Sequence, residues 1–171
     1  MRDAGRRVKR TRRGDFELHL PREERDVLRT LPSQLRSILP TEDPGVGRLF
    51  PPAYADDPDR SAEFHRLVRD DLLAGHLEAL QTMEETVDAR RLTEEQLVSW
   101  LGALNDLRLV LGTKLDVTEE TYEQDIPEDH PDAPGIALYL YLGWLEEQVV
   151  EALAQGLDPA GTESLGGASQ G

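Results

Sequence analysis

Asn105, Asp106 and Arg108 stand together in WLGALNDLRLVLGTKLDV, Trp100–Val117, a run otherwise dominated by apolar residues. A carboxylate, an amide and a guanidinium could exchange a proton or hold an anion. General acid–base work, however, needs a second titratable group converging on the same pocket, and the local sequence offers none. At about 100° per residue, Arg108 falls in the middle of a stripe formed by Leu97, Leu101, Leu104, Leu111 and Leu115. Trp100, Ala103, Leu107 and Val110 flank that stripe. Asp106 projects about 160° away from Arg108, so the arginine needs a partner from elsewhere. Asp71, at the edge of the preceding helix's apolar face, is the expected one, in an ion pair that fixes helix register. Asn105 and Asp106 are expected to pack against RLFPPAY, Arg48–Tyr54, and cap its backbone, with Arg48 and Tyr54 supplying the other half of the contact.

The remaining polar groups carry less chemistry. His65 and His76 share a helix face but lie about 16 Å apart, too far to share an ion. His19 and His130 have no ligand-spaced neighbours, so no metal site is expected. Residues 116–132 hold eight acids and no Lys or Arg, but lack the glycine and ligand spacing of a calcium loop. Nucleophile-elbow, P-loop and dinucleotide motifs are absent from the sequence. Neither a cofactor nor an enzymatic activity is expected. With no cysteine in the chain, disulfides, thiolate metal sites and thiol redox sensing are excluded.

Charge is distributed unevenly. The net charge is −15 over 171 residues. Residues 1–13 alone contribute +6, which leaves −21 on the other 158. Arg6, Arg7, Lys9, Arg10, Arg12 and Arg13 therefore form a basic arm (residues 1–14) able to touch nucleic acid, set on an acidic body. No apolar run is long enough to span a bilayer, and a cytoplasmic protein is expected.

These residues must be positioned by a mostly helical domain of about four to five helices with a short N-terminal β-strand or β-ribbon, residues 15–156. Asp15–Leu20 alternates apolar and polar residues and reads as a strand, with Gly14 able to turn it back onto Val8–Arg13. A helix follows Pro21, and Pro32 should kink or split it after Thr30. A loop rich in proline and glycine occupies 40–58. A long helix then reaches about Val87, with Phe64, Val68, Leu72, Ala79 and Met83 on one face. Thr93 and Gln96 form a capping box that starts the central helix near Glu94. The last helix spans about Ala133–Gln155 and stops at Gly156. Its aromatic cluster, Tyr139, Tyr141 and Trp144, suits either a core or a homodimer interface. Residues 157–171 are Gly- and Ser-rich and are expected to be disordered.

RLFPPAYADD (Arg48–Asp57), WLGALNDLRLVLGTKLDV and YLYLGWLEE (Tyr139–Glu147) together resemble an actinobacterial family of formerly unknown function. That family includes the oxidative-stress transcriptional regulator AosR. The resemblance marks Arg48, Phe50, Pro51, Tyr54, Trp100, Asn105, Asp106, Arg108, Gly112 and Trp144 as motif residues with structural roles. It implies a transcription-associated regulator acting through a sigma factor or RNA polymerase. The family's gene neighbourhood implies an alternative, a non-DNA scaffold linked to Clp-type proteostasis. It also implies oxidant sensing through a closely spaced cysteine pair, which this chain lacks and no residue here replaces.

Overall fold

The computed structural model describes residues 5–41, 43–50, 58–123 and 125–157. Strands β1 (Val8–Arg10), β2 (Phe16–Leu18) and β3 (Arg91–Leu92) accompany helices α1 (Arg22–Ile38), α2 (Pro58–Thr86), α3 (Glu94–Lys114), α4 (Glu119–Glu123) and α5 (Ala133–Leu157). A 3-10 helix at Pro44–Leu49 links α1 to the segment before α2. The structure is thus mostly helical, with a small antiparallel sheet at the N-terminal end, as the periodicities predict.

Helix α3 is the centre. Its capping box forms as expected: the Thr93 hydroxyl accepts from the Gln96 N–H, and the Gln96 side chain accepts from the Thr93 N–H. Helices α2 and α5 pack against it on either side, and α1 lies across α2. Trp100 is fully buried, its indole N–H donating to Thr86 Oγ1 at 2.7 Å. Leu97, Ala103, Leu104, Leu107 and Val110 are buried with it. Leu101, Leu111 and Leu115 are only partly buried. The buried face is therefore centred on the Trp100 side of the helix and keeps only Leu97 and Leu104 of the predicted leucine stripe fully buried.

The sheet has the order β1-β2-β3, with Val8 opposite Leu18 and Phe16 opposite Leu92. Val8, Phe16, Leu18 and Leu92 face the core, as strand alternation requires. Gly14, at φ 90°, supplies the left-handed residue of the β1–β2 turn. A two-stranded ribbon of this size needs packing to persist. It receives it from α5 on one side and from β3 on the other.

Several expectations are corrected. Helix α1 runs unbroken through Pro32, which is buried. The residues around it carry hydroxyls that bond back to the helix backbone, Thr30 to Val27 O and Ser33 to Thr30 O. Phe64 is 64% exposed rather than buried, because α2 meets the core through Leu80 and Met83, towards its C-terminal end. The stretch between α2 and α3, for which the sequence pattern predicts no strand, contains β3, two residues that alternation over so short a segment cannot signal. Helix α5 continues through Gly156 to Leu157. The region expected to be disordered falls, from 158 onward, outside the described residues.

Candidate functional site

Asp106 is 4% exposed and is the one charged residue among the described residues to be fully buried. Its partner is His76 of α2, whose Nδ1 lies 2.6 Å from Asp106 Oδ2. The other ring nitrogen, Nε2, is 3.1 Å from the carbonyl oxygen of Leu49. A carbonyl can only accept, so Nε2 carries a proton. The pair is then either an imidazolium with a carboxylate or a neutral imidazole accepting from a protonated Asp106. Burial pushes the Asp106 carboxyl above its ordinary value, with His76 pulling the other way. Phe50 meets the His76 ring edge-on at 5.7 Å, and the Arg69 guanidinium lies 4.1 Å from the centre of the Phe50 ring.

This cluster ties α2 and α3 to the end of the 3-10 helix. Both nitrogens of His76 and one oxygen of Asp106 are committed within the protein, so the arrangement braces the fold. Capping of the loop by Asp106 was expected as a direct contact; His76 carries it instead. The sequence signal for His76 was its place among Leu72, Leu73, Leu77 and Leu80 on the apolar face of α2. Asn105 is exposed and takes no part in the cluster. Arg48 is exposed too, while Pro51 and Tyr54 lie outside the described residues.

Arg108 does not reach Asp71, which is exposed. Its Nη1 lies 3.3 Å from Glu146 Oε2 of α5, and its guanidinium sits 5.4 Å from the Tyr139 ring. The side chain is 36% exposed. The cause is rotation of the buried face toward Trp100 and Leu107, which brings Arg108 to the α3–α5 seam and its charge to the surface. Gly112 serves the same seam: a Cβ there would stand 2.9 Å from the Tyr139 ring.

The basic N-terminal residues divide into two groups. Arg7 is held by the fold: it makes a two-pronged contact with Glu24 at 2.8 and 2.9 Å, and its guanidinium lies 5.1 Å from the Trp144 ring. Glu24 also accepts from the Tyr141 hydroxyl at 2.9 Å. The hydrogen bond from Arg7 lowers the Glu24 carboxyl below its ordinary value, while burial raises the Tyr141 phenol. Lys9, Arg10, Arg12 and Arg13 are exposed, and Arg10 reaches the Gln155 carbonyl at 3.3 Å. Arg6 is half-buried. Trp144 is 36% exposed beside this group.

Fold and site together define a mostly helical domain whose N-terminal sheet completes its core and whose buried polar groups brace it. Residues 5–153 match the family described as Domain of unknown function (DUF2017), and the chain belongs to that family. A Mycobacterium leprae protein is 32% identical over 130 residues, covering 66% of this chain and 59% of that protein. Proteins named oxidative stress regulator AosR in Mycobacterium bovis and Mycobacterium tuberculosis are also 32% identical, over 128 residues, covering 65% of this chain and 58% of theirs. The matched region is thus less than two thirds of those relatives. No solved structure matches the chain. No helix among the described residues is long and apolar enough to cross a membrane.

Proposed function

We propose that the protein is a non-enzymatic, transcription-associated regulator of the cytoplasm. In this reading it docks on a sigma factor or RNA polymerase, and it does so without cysteine-based redox sensing. The observation that carries it is the 32% identity to proteins named oxidative stress regulator. That identity is joined here to a chain without a single cysteine. Any signal therefore reaches this protein by another route, such as partner availability. The acidic body favours a basic protein surface by charge complementarity, and the exposed cations of the β1–β2 hairpin support a reading in which DNA lies nearby. Trp144 and Leu140, exposed on α5, offer apolar area for a second copy of the chain.

The test is direct binding of the full chain to the purified stress sigma factor and to RNA polymerase of the same organism, by biolayer interferometry. Saturable binding to either supports the reading. Binding to neither, with or without promoter DNA, overturns it in favour of a scaffold outside transcription. Sedimentation velocity at micromolar concentration decides the homodimer, since the single chain is 19.2 kDa.

A further inference from the structure

A cleft of about 850 Å³ opens between the outer edge of β2–β3, the first half of α1 and the turn that follows α2. Five arginines line it against three carboxylates, on a chain that is otherwise strongly acidic. Arg22, Arg25 and Arg29 come from successive turns of α1 and share one face of that helix. Arg90 enters from the residue just before β3, and Arg91 from β3 itself.

The arginines are not equally committed. Arg29 is satisfied by Asp26 at 2.7 Å and Asp88 at 2.5 Å. Arg91 leans toward Asp15 and Glu17 at 3.7 and 3.9 Å. Arg25 donates only one weak bond, Nη1 to the Asp88 carbonyl at 3.3 Å, and its Nε is buried without an acceptor. Among the described residues the Arg90 guanidinium has no carboxylate partner. Two guanidinium forks from different elements therefore face one cleft with donors to spare. The in-register row Lys9, Glu17 and Arg91 carries the surface across the sheet toward the hairpin, where Arg12 and Arg13 are exposed.

We propose that this cleft binds phosphate groups of a nucleic-acid backbone, with Arg25 and Arg90 as the principal donors. A guanidinium fork matches two oxygens of a phosphate, and Arg25 and Arg90 line the cleft without a carboxylate partner among the described residues. A lone peptide carboxylate would occupy a single fork and little of this volume. A free phosphate compound shares the chemistry, so the experiment separates the two sources. The site stands apart from the sigma-factor reading, because capture of a protein partner without duplex binding overturns the cleft alone.

The test uses the full chain, a labelled 20-base-pair duplex followed by fluorescence anisotropy from low to moderate salt, and pyrophosphate followed by calorimetry. Arg25→Gln and Arg90→Gln are combined in one variant, with Arg66→Gln on α2 as a charge-matched control and thermal melting to verify folding. Arg90→Gln alone, at an exposed position, serves if the pair fails to fold. Duplex binding whose log–log salt slope falls by about 2 in the double variant, or about 1 in Arg90→Gln alone, and not at all in the control, is the expected result. Pyrophosphate binding alone, weakened by the same variants, keeps the phosphate chemistry and overturns the nucleic-acid source. Duplex binding indifferent to these substitutions, no binding of either probe, or equal competition by polyglutamate overturns the site.

Discussion

The α2–α3 centre and the N-terminal sheet end spend their charges differently. At the centre, Asp106, His76 and the Leu49 carbonyl form a closed chain of hydrogen bonds inside the core. At the sheet end, Arg7 and Glu24 close a similar circuit with Tyr141, yet Arg25, Arg90 and the hairpin cations remain outside it. Burial makes a charge costly, so the centre keeps only what it can satisfy. Exposure makes charge cheap to hold, and surplus cations there can serve a partner. The two carboxyls also shift in opposite directions: desolvation raises Asp106, and the Arg7 hydrogen bond lowers Glu24.

The largest expected effect comes from breaking the central circuit. Asp106→Leu strands His76 against the core and should cost roughly 3–5 kcal/mol in urea unfolding. Asp106→Asn should cost about 1 kcal/mol or less, because its amide can donate to Nδ1 while Nε2–H still reaches Leu49. Equal losses in both variants would mean that the circuit depends on a charge rather than on hydrogen bonds.

Next in size is the α3–α5 seam. Gly112→Ala places a methyl against the Tyr139 ring, so that ring must move, and a destabilisation of roughly 1–3 kcal/mol is expected in thermal unfolding. An unchanged melting temperature would show that Tyr139 yields without cost.

The pH dependence sharpens the comparison further. Asp106 holds its proton more tightly when folded. Its stabilising contribution is therefore full below its ordinary value of 3.8 and is lost as pH rises through the folded value. Glu24 has the opposite sign: its contribution is present above its ordinary value of 4.5 and is lost as pH falls through the depressed folded value. Stability measured from pH 7 down to pH 3 should fall less in Glu24→Gln than in the parent protein, and more in Asp106→Asn. The reverse ranking would invert the assignment of the two circuits.

The smallest effect is expected at Arg108. Its side chain and its bond to Glu146 are partly solvated, so Glu146→Gln should change stability by about 0–1 kcal/mol. A loss of several kcal/mol would mean that the arginine is a buried anchor after all.

Much of the architecture was legible because helical periodicity and capping are local. The Thr93–Gln96 box, the turn glycine at position 14, the end of α2 and the start of α3 follow from a few neighbouring residues each. The sites were less legible because their partners are distant in sequence. His76 and Asp106 are thirty residues apart, and Arg7 and Tyr141 meet on Glu24 from opposite ends of the chain. Arg108 looked buried because a leucine stripe is counted by angle, whereas the packed face was set by Trp100, the largest side chain available. The N-terminal cations read as one basic arm because the partner that holds Arg7, Glu24, lies in α1 and leaves no local signal.

The central claim is that the polar groups of the core hold the fold while the cations of the sheet end meet a partner. The most direct measurement is duplex anisotropy at low salt on three proteins: the parent chain, Asp106→Asn and Arg25→Gln/Arg90→Gln. Binding equal in the first two and weakened in the third, with a shallower salt dependence, is the predicted result. Binding unchanged in the arginine variant, or lost from a fully folded Asp106→Asn protein, would contradict it.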